Sequence, residues 1–299
     1  MGEEGDVDHE PIAAPRNAPL ELKLKVMLRN WSYPEFREIL YKEAKECEDY
    51  KCSSTYKRIY AYLRALELRG TGLSYGKIRE VIKSEVNYAP PDALLSRWLR
   101  GLHTPLNNIA TFDVKRPEVG LIIGLILSDG YGYRCYRGGY LDGKKLVLTN
   151  RNERIVNMFK EACCKLGLLT YQRINRTDFG GEVWRVETRS TLLYLLLKRY
   201  CYFIVRAPVN VQAAFLRGLM LGDGSVEYSM FYNTNVEIID TIDKLLKIHR
   251  IKHSIEGPYP PRGLKKKPEY RIYVWKQSRE KFLKLTGLAE SPPRPSLYV

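Results

Sequence analysis

Two stretches of this chain, IIGLILSDG (residues 122–130) and LRGLMLGDG (216–224), are apolar helices that each end on Asp-Gly, with Asp129 and Asp223 standing 94 residues apart. One such end reads as an ordinary C-terminal turn. Two of them demand a duplicated unit, and the neighbouring sequence supplies it. LVLTNRNERIVNMFKEACCKLGL (146–168) aligns with SMFYNTNVEIIDTIDKLLKIHRI (229–251) at an offset of 83, setting Leu148 against Phe231, Asn150 against Asn233, Asn152 against Asn235 and Ile155 against Ile238. WRVETRS (184–190) and YRIYVWKQ (270–277) form a further strand-like pair, each leading into a short helix. Pro117 and Pro208 open the two greasy helices as first-turn residues. The repeating unit is therefore helix, two or more strands, helix, strands, helix, with a pseudo-twofold relation between its copies.

The greasy helix is the element that the copies share. Gly124 and Ser128 lie four apart on one helix, Gly218 and Gly222 four apart on the other. Small residues at that spacing let two backbones approach closely, leaving the Leu, Ile and Met positions for the core of each half. Gly130 and Gly224 are expected to stop the helices in the left-handed conformation. Asp129 and Asp223 then lie side by side. That is unfavourable alone, because a helix C-terminus is already partly negative and the two acids repel. A divalent cation between them resolves both problems. Hard carboxylate oxygens suit Mg²⁺, with Mn²⁺ as a substitute, completed by water and phosphate oxygens. Such a site can activate water and stabilise a leaving oxygen in phosphodiester cleavage.

The charge balance agrees with a phosphate partner. The 299 residues carry a formal net charge of +15 and a pI near 9.4, which favours nucleic acid over membrane, the plainer alternative being a basic surface kept for solubility. Between residues 258 and 299, ten Lys/Arg stand against three Asp/Glu, and Lys265, Lys266 and Lys267 of GLKKKPEYR are expected on a hairpin loop touching backbone phosphates. Base reading is expected from Tyr131, Tyr133, Arg134, Tyr136 and Arg137 in the first half and Glu227, Tyr228 and Tyr232 in the second. The 6 cysteines do not pair at zinc-site spacing with one another or with the 4 histidines. Adjacent Cys163 and Cys164 read as small buried hydrophobes of a reducing cytosol. No apolar run reaches the roughly 18 residues of a membrane span, so the expectation is a cytoplasmic protein without a membrane partner.

IIGLILSDG and LRGLMLGDG resemble the signature helices of the LAGLIDADG homing endonucleases in their monomeric, two-motif form, over roughly residues 117–290. Leu127 and Leu221 replace the first acid of the nominal signature. The resemblance implies an α+β fold of pseudo-twofold tandem αββαββα halves, preceded here by a small all-α domain. It implies a magnesium-dependent, intron-encoded hydrolase that makes a staggered double-strand cut in a long DNA target, with Asp129 and Asp223 as catalytic metal ligands. Asn150 and its repeat partner Asn233 would sit near the active-site water. Lys276 would be the basic residue near the scissile phosphate, with Arg189 or Ser190 in its place in the first half. All of these polar residues read equally well as exposed positions on a DNA-facing strand. Two rival functions share the scaffold: an RNA-binding intron maturase, and a DNA-binding regulator that has lost cleavage.

The expected domains are a disordered leader (1–19), a helical domain (20–116), a first half (117–205) and a second half (206–299). In the helical block, Gly70 and Gly101 are stop signals and Asp92 an N-cap. LSYGKIREVIKSEVNYAPPDALLSRWLRGLHTP resembles a helix-turn-helix with Ser96, Arg97 and Arg100 on its recognition helix. A helical bundle with Leu95, Trp98 and Leu99 as core accounts for the same pattern. Met-Gly at the start and Leu-Tyr-Val at the end carry no intein splice signals, so a free-standing protein is expected.

Overall fold

The computed structural model describes residues 13–46, 50–137, 140–176, 181–261 and 267–289. They fall into two compact units: one up to Val114 with Leu166–Leu168, the other from Lys115 to Lys165 and from Leu169 onward. None of the described helices is long and apolar enough to cross a membrane.

The first unit is helical. Strand β1 (Ala13–Ala14) leads into α1 (Leu20–Trp31), α2 (Pro34–Glu46), α3 (Tyr50–Gly70), α4 (Tyr75–Val86) and α5 (Asp92–Leu99), and β2 (Thr111–Phe112) pairs back on β1. Met27, Phe36, Tyr56, Tyr62 and Trp98 fill its core. Several of the polar groups buried there are bonded, as burial favours. The Asn30 amide donates to Phe112 O at 2.8 Å and its carbonyl accepts from Val114 N at 3.1 Å. The Lys23 ammonium donates to Asn107 O at 2.7 Å, while burial lowers its pKa. Arg64 and Tyr60 of α3 both reach Glu85 of α4, at 2.9 Å each. Gly101 takes φ +69 just past α5, as a helix stop should. Asp92 does not cap α5. Pro91, with its fixed φ, holds the N-cap position, and the Asp92 carboxylate pairs instead with Arg79 Nη1 at 2.8 Å.

The second unit is α+β and repeats one plan twice. Its first half runs α6 (Pro117–Asp129), β3 (Gly130–Arg137), β4 (Tyr140–Asn150), α7 (Glu153–Lys165), β5 (Thr170–Arg176), β6 (Glu182–Arg189), α8 (Thr191–Lys198) and α9 (Tyr200–Arg206). The second half runs α10 (Val209–Asp223), β7 (Gly224–Ser225), β8 (Met230–Asn233), α11 (Val236–Ile248), β9 (His253–Tyr259), β10 (Glu269–Val274) and α12 (Lys276–Thr286). The two antiparallel sheets have equivalent orders, β3-β4-β6-β5 and β7-β8-β10-β9. Their registers also correspond. Gly130 faces Leu148, which faces Val186, and Gly224 faces Phe231, which faces Ile272. Leu146, Leu148 and Val186 are fully buried on the helix-facing side of the first sheet, and Phe231 and Ile272 do the same in the second.

α6 and α10 pack side by side in the same direction, and glycine makes this contact. A Cβ on Gly124 would lie 2.4 Å from Phe215 O, and one on Gly218 would lie 2.6 Å from Leu121 O. One on Gly222 would fall 2.0 Å from Ser128 Oγ. The backbones are thus closer than any side chain permits, over a seam buried at Gly124, Phe215 and Gly218 and half-buried at Ser128 and Gly222. Pro208 sits one residue earlier than expected, as the N-cap of α10, whereas Pro117 is the first residue of α6.

The helix ends differ from expectation. Gly130 (φ −138, ψ −169) and Gly224 (φ −108, ψ 171) are extended rather than left-handed, so each helix passes straight into a strand. Glycine is needed there for space. A Cβ on Gly130 would meet Val147 O at 2.3 Å, and one on Gly224 would meet Met220 Sδ at 2.5 Å. Of the adjacent cysteines only Cys163 is buried; Cys164 is exposed, because neighbours on a helix point in different directions.

Candidate metal centre and nucleic-acid interface

Each signature aspartate ends a helix and meets an asparagine from the end of the second strand. Asn150 Nδ2 donates to Asp129 Oδ2 at 2.7 Å, and Asn233 Nδ2 donates to Asp223 Oδ2 at 3.1 Å. The sequence motif Asn-x-Asn sets this geometry. The Asn150 carbonyl oxygen accepts from Asn152 N at 2.7 Å, and the Asn152 side chain accepts from Arg154 N at 3.0 Å. In the second half, Asn233 accepts from Asn235 N at 2.8 Å, and Asn235, as N-cap of α11, accepts from Glu237 N at 3.0 Å. Two successive Asx turns therefore consume the amide oxygens, and the NH₂ group of the first asparagine is left to face the carboxylate. A Cβ on Gly222 would lie 2.9 Å from Asp129 Oδ2, so the Asp129 carboxylate sits against the last turn of the helix that carries Asp223.

This donor set fits a hard divalent cation. Among the described residues no group of three or more His, Cys, Asp or Glu side chains is arranged to hold a metal. Two carboxylates on neighbouring helix ends are nonetheless what Mg²⁺ uses when water and phosphate complete its octahedron. In such a site the asparagine amides would supply the outer hydrogen bonds that orient the ligands.

The remaining predicted residues are not all drawn to this centre. Arg189 is exposed at the end of β6, opposite Lys145. Ser190 caps α8, its hydroxyl accepting from Leu193 N at 3.1 Å. Lys276 is exposed and lies on the first turn of α12, not on a strand. Arg134 pairs with buried Lys144 and so lies on the helix-facing side, opposite Tyr131 and Tyr133. A strand alternates, and residues 133 and 134 cannot share a face. Tyr228 is exposed, but in a turn, and Glu227 O accepts from Arg279 Nη2 at 2.8 Å. The β7–β8 hairpin is too short to carry these two on a strand, closing through Ser229 at φ +49. Tyr232 does lie on the outer face of its sheet, and Lys267 is exposed. Lys265 and Lys266, and the side chains of Tyr136 and Arg137, lie outside the described residues. In the helical unit Arg97 and Arg100 are exposed, beside buried Leu95 and Trp98.

Two arginines escaped the sequence reading. Arg185 and Arg271 occupy equivalent positions, one residue past the partners of Asn150 and Asn233, on the outer faces of the two sheets. Arg185 Nε donates to Glu187 Oε1 at 2.8 Å and its guanidinium lies 5.8 Å from the Tyr131 ring. Arg271 Nε donates to Glu269 Oε1 at 3.1 Å, with the Tyr232 and Tyr259 rings at 5.5 and 4.5 Å. The signal was present in the aligned WRV and YRI segments, where the arginine is the one identical residue.

Neither a protein-family model nor a curated protein sequence matches the chain. Solved structures do. The chain is similar to the homing endonuclease I-DmoI in complex with DNA and Mn, at 18% identity and TM-score 0.48 over 59% of this chain and 98% of that one. It is also similar to the homing endonuclease I-WcaI bound to its DNA recognition sequence, at 16% identity and TM-score 0.41 over 59% and 83%. The N-terminal LAGLIDADG domain of DUF199/WhiA gives 12% identity and TM-score 0.42 over 59% and 85%. These structural neighbours are LAGLIDADG proteins. Likeness at these values carries no residue's role across, so the functional reading rests on the residues of this chain.

Proposed function

We propose that this chain is a site-specific DNA endonuclease, acting as a monomer, whose two halves each contribute one aspartate to a divalent-cation centre. The observation that carries the reading is the repeated Asp–Asn pair at the ends of two glycine-faced helices, at 2.7 and 3.1 Å. Asp129 and Asp223 hold the cation, and Asn150 and Asn233 keep their carboxylates aimed. A bound Mg²⁺ or Mn²⁺ supplies a more acidic water and neutralises charge on the leaving oxygen. The outer faces of the two sheets, with Arg185, Arg189, Lys145 and Arg271, meet the duplex, and exposed Lys276 adds phosphate attraction. In the helical unit we assign α5 to a second contact through Arg97 and Arg100, as a recognition helix would make.

The test is cleavage of a randomised duplex library in Mg²⁺ by the wild type and by Asp129→Asn and Asp223→Asn. Each substitution should lower cleavage by at least about a hundredfold, because ligand loss exceeds the effect of losing an outer hydrogen bond. Cleavage that survives either change overturns the centre. Absence of any cleavage, together with tight binding to a structured intron RNA, identifies a maturase; tight duplex binding without cleavage identifies a regulator. Arg97→Ala with Arg100→Ala should shorten the protected footprint on a bound duplex, and an unchanged footprint removes α5 from the interface.

A further inference from the structure

The outer face of the first sheet is cationic, yet an acid stands at its middle. Glu187 on β6 accepts from Lys145 Nζ at 2.9 Å across the β4 pairing and from Arg185 at 2.8 Å on its own strand, with Arg173 of β5 at 3.9 Å. Its side chain is only 12% exposed, and those of Lys145 and Arg185 are 20% and 17% exposed. Tyr131 and Tyr133 stack over the same cations, 5.8 Å from Arg185 and 5.9 Å from Lys145. A surface meant only to attract phosphate gains nothing from a carboxylate here, since each acid cancels a phosphate contact. A surface meant to discriminate gains a great deal. Long cations are flexible, and fixing a guanidinium before binding removes the entropy of ordering it and penalises sequences that do not match.

We infer that Glu187 is a specificity-determining positioning residue, which holds Lys145 and Arg185 in fixed directions on the duplex-facing sheet and lowers bulk affinity for sequence selectivity. This rests on the proposed duplex-binding role of that face. Arg185 then reads a purine edge by the hydrogen-bond donors that Glu187 does not occupy. The equivalent position to Glu187 on β10 is Tyr273, which bonds Arg271 together with Glu269, so among the described residues no carboxylate stands at that position in the second half.

The experiment measures binding of the full chain to a randomised duplex library with EDTA present, so that no cleavage intervenes, and sequences the retained DNA. Glu187→Gln removes the charge and should tighten bulk binding about threefold, steepen the logarithmic salt slope by about one, and weaken the preference at the affected base position about tenfold. Glu187→Asp keeps the charge and shortens the reach. It should leave bulk affinity and salt slope at wild-type values while weakening the same preference. Thermal melting of both variants separates a fold defect from a reading defect, and the Asp variant carries the test should the Gln variant unfold. An unchanged selected sequence in either folded variant overturns the inference and leaves Glu187 as a structural neutraliser. Failure of the wild type to retain any duplex instead overturns the underlying assignment of the sheet to DNA.

Discussion

The two halves of the α+β unit agree on their inner side and disagree on their outer side. Inside, the same glycine contacts join α6 to α10, and the same Asn-x-Asn turns aim an amide at the same aspartate in both copies. Outside, the registers still match but the chemistry does not. The first sheet gathers Lys145, Arg185 and Arg173 around Glu187. In the second, among the described residues, Arg271 lies against Glu269 and between the rings of Tyr232 and Tyr259. Where both copies must serve one centre, substitution is constrained in both. Where each copy faces its own stretch of a partner, the copies are free to diverge. On the proposed function, the molecule combines a symmetric reaction centre with an asymmetric reading surface.

The strongest way to break that comparison is to attack the inner symmetry. Asn150→Ala and Asn233→Ala each remove one amide from one carboxylate, and each should lower cleavage about 10- to 100-fold with little change in duplex affinity, the size expected for an outer hydrogen bond to a metal ligand. The two losses should be alike. Single-turnover cleavage on a selected site checks this, and a large effect in one half with none in the other would show that only one aspartate is held productively.

Next in size is the seam. Gly124→Ala or Gly218→Ala drives a methyl into backbone atoms of the facing helix and should cost about 1–3 kcal/mol, read as a fall in thermal midpoint. Gly132→Ala is the control. Its Cβ would meet the tip of the Leu197 side chain at 2.8 Å, which can move, so the loss should be much smaller. Equal losses at the two kinds of site would mean that the helix contact yields more readily than its geometry implies.

Much of this arrangement was legible in the chain itself. The repeat, the paired helices and the small residues at spacing four all leave marks at short range, in spacing and residue type; Asn150 and Asn233 are marked by the family resemblance, while their bonds to the aspartates are not. What escaped depends on pairing partners distant in sequence. The clustering of Lys145 with Glu187 exists only because β4 lies beside β6, and no local pattern announces it. Arg134 was misassigned because residue type was weighed above strand parity. Gly130 and Gly224 were read as backbone switches, whereas their role is to admit a neighbour, and that neighbour is Val147 in one case and Met220 in the other. Glycine announces that something special happens, but conformation and close approach look identical in a sequence.

The smallest effect tests, by pH, one carboxylate cluster in each half. Burial opposes ionisation of Glu187, yet hydrogen bonds from Lys145 and Arg185 overcome it and hold its pKa below the ordinary value. In the second half Asp243 lies on helix α11 rather than on the sheet, but its titration follows the same rule: burial opposes its charge, and Lys247 and His253 more than compensate, so its pKa is lowered too. A carboxyl whose pKa is lower in the folded chain than in the unfolded one stabilises the fold above the unfolded value, about 4.3 for Glu and 3.9 for Asp. That stabilisation declines as pH falls through the folded value, because the unfolded chain then takes up its proton first. The thermal midpoint should therefore be flat near neutrality and fall on the acid side. Glu187→Gln and Asp243→Asn should each make that acid limb shallower, with changes at neutral pH of no more than about 1 kcal/mol. The two variants should act additively, since they belong to different halves and share no partner. A wild-type midpoint that stays constant down to strongly acid pH would mean that neither cluster holds its carboxylate ionised, and Glu187 would then set the first sheet's outer face apart by shape rather than charge.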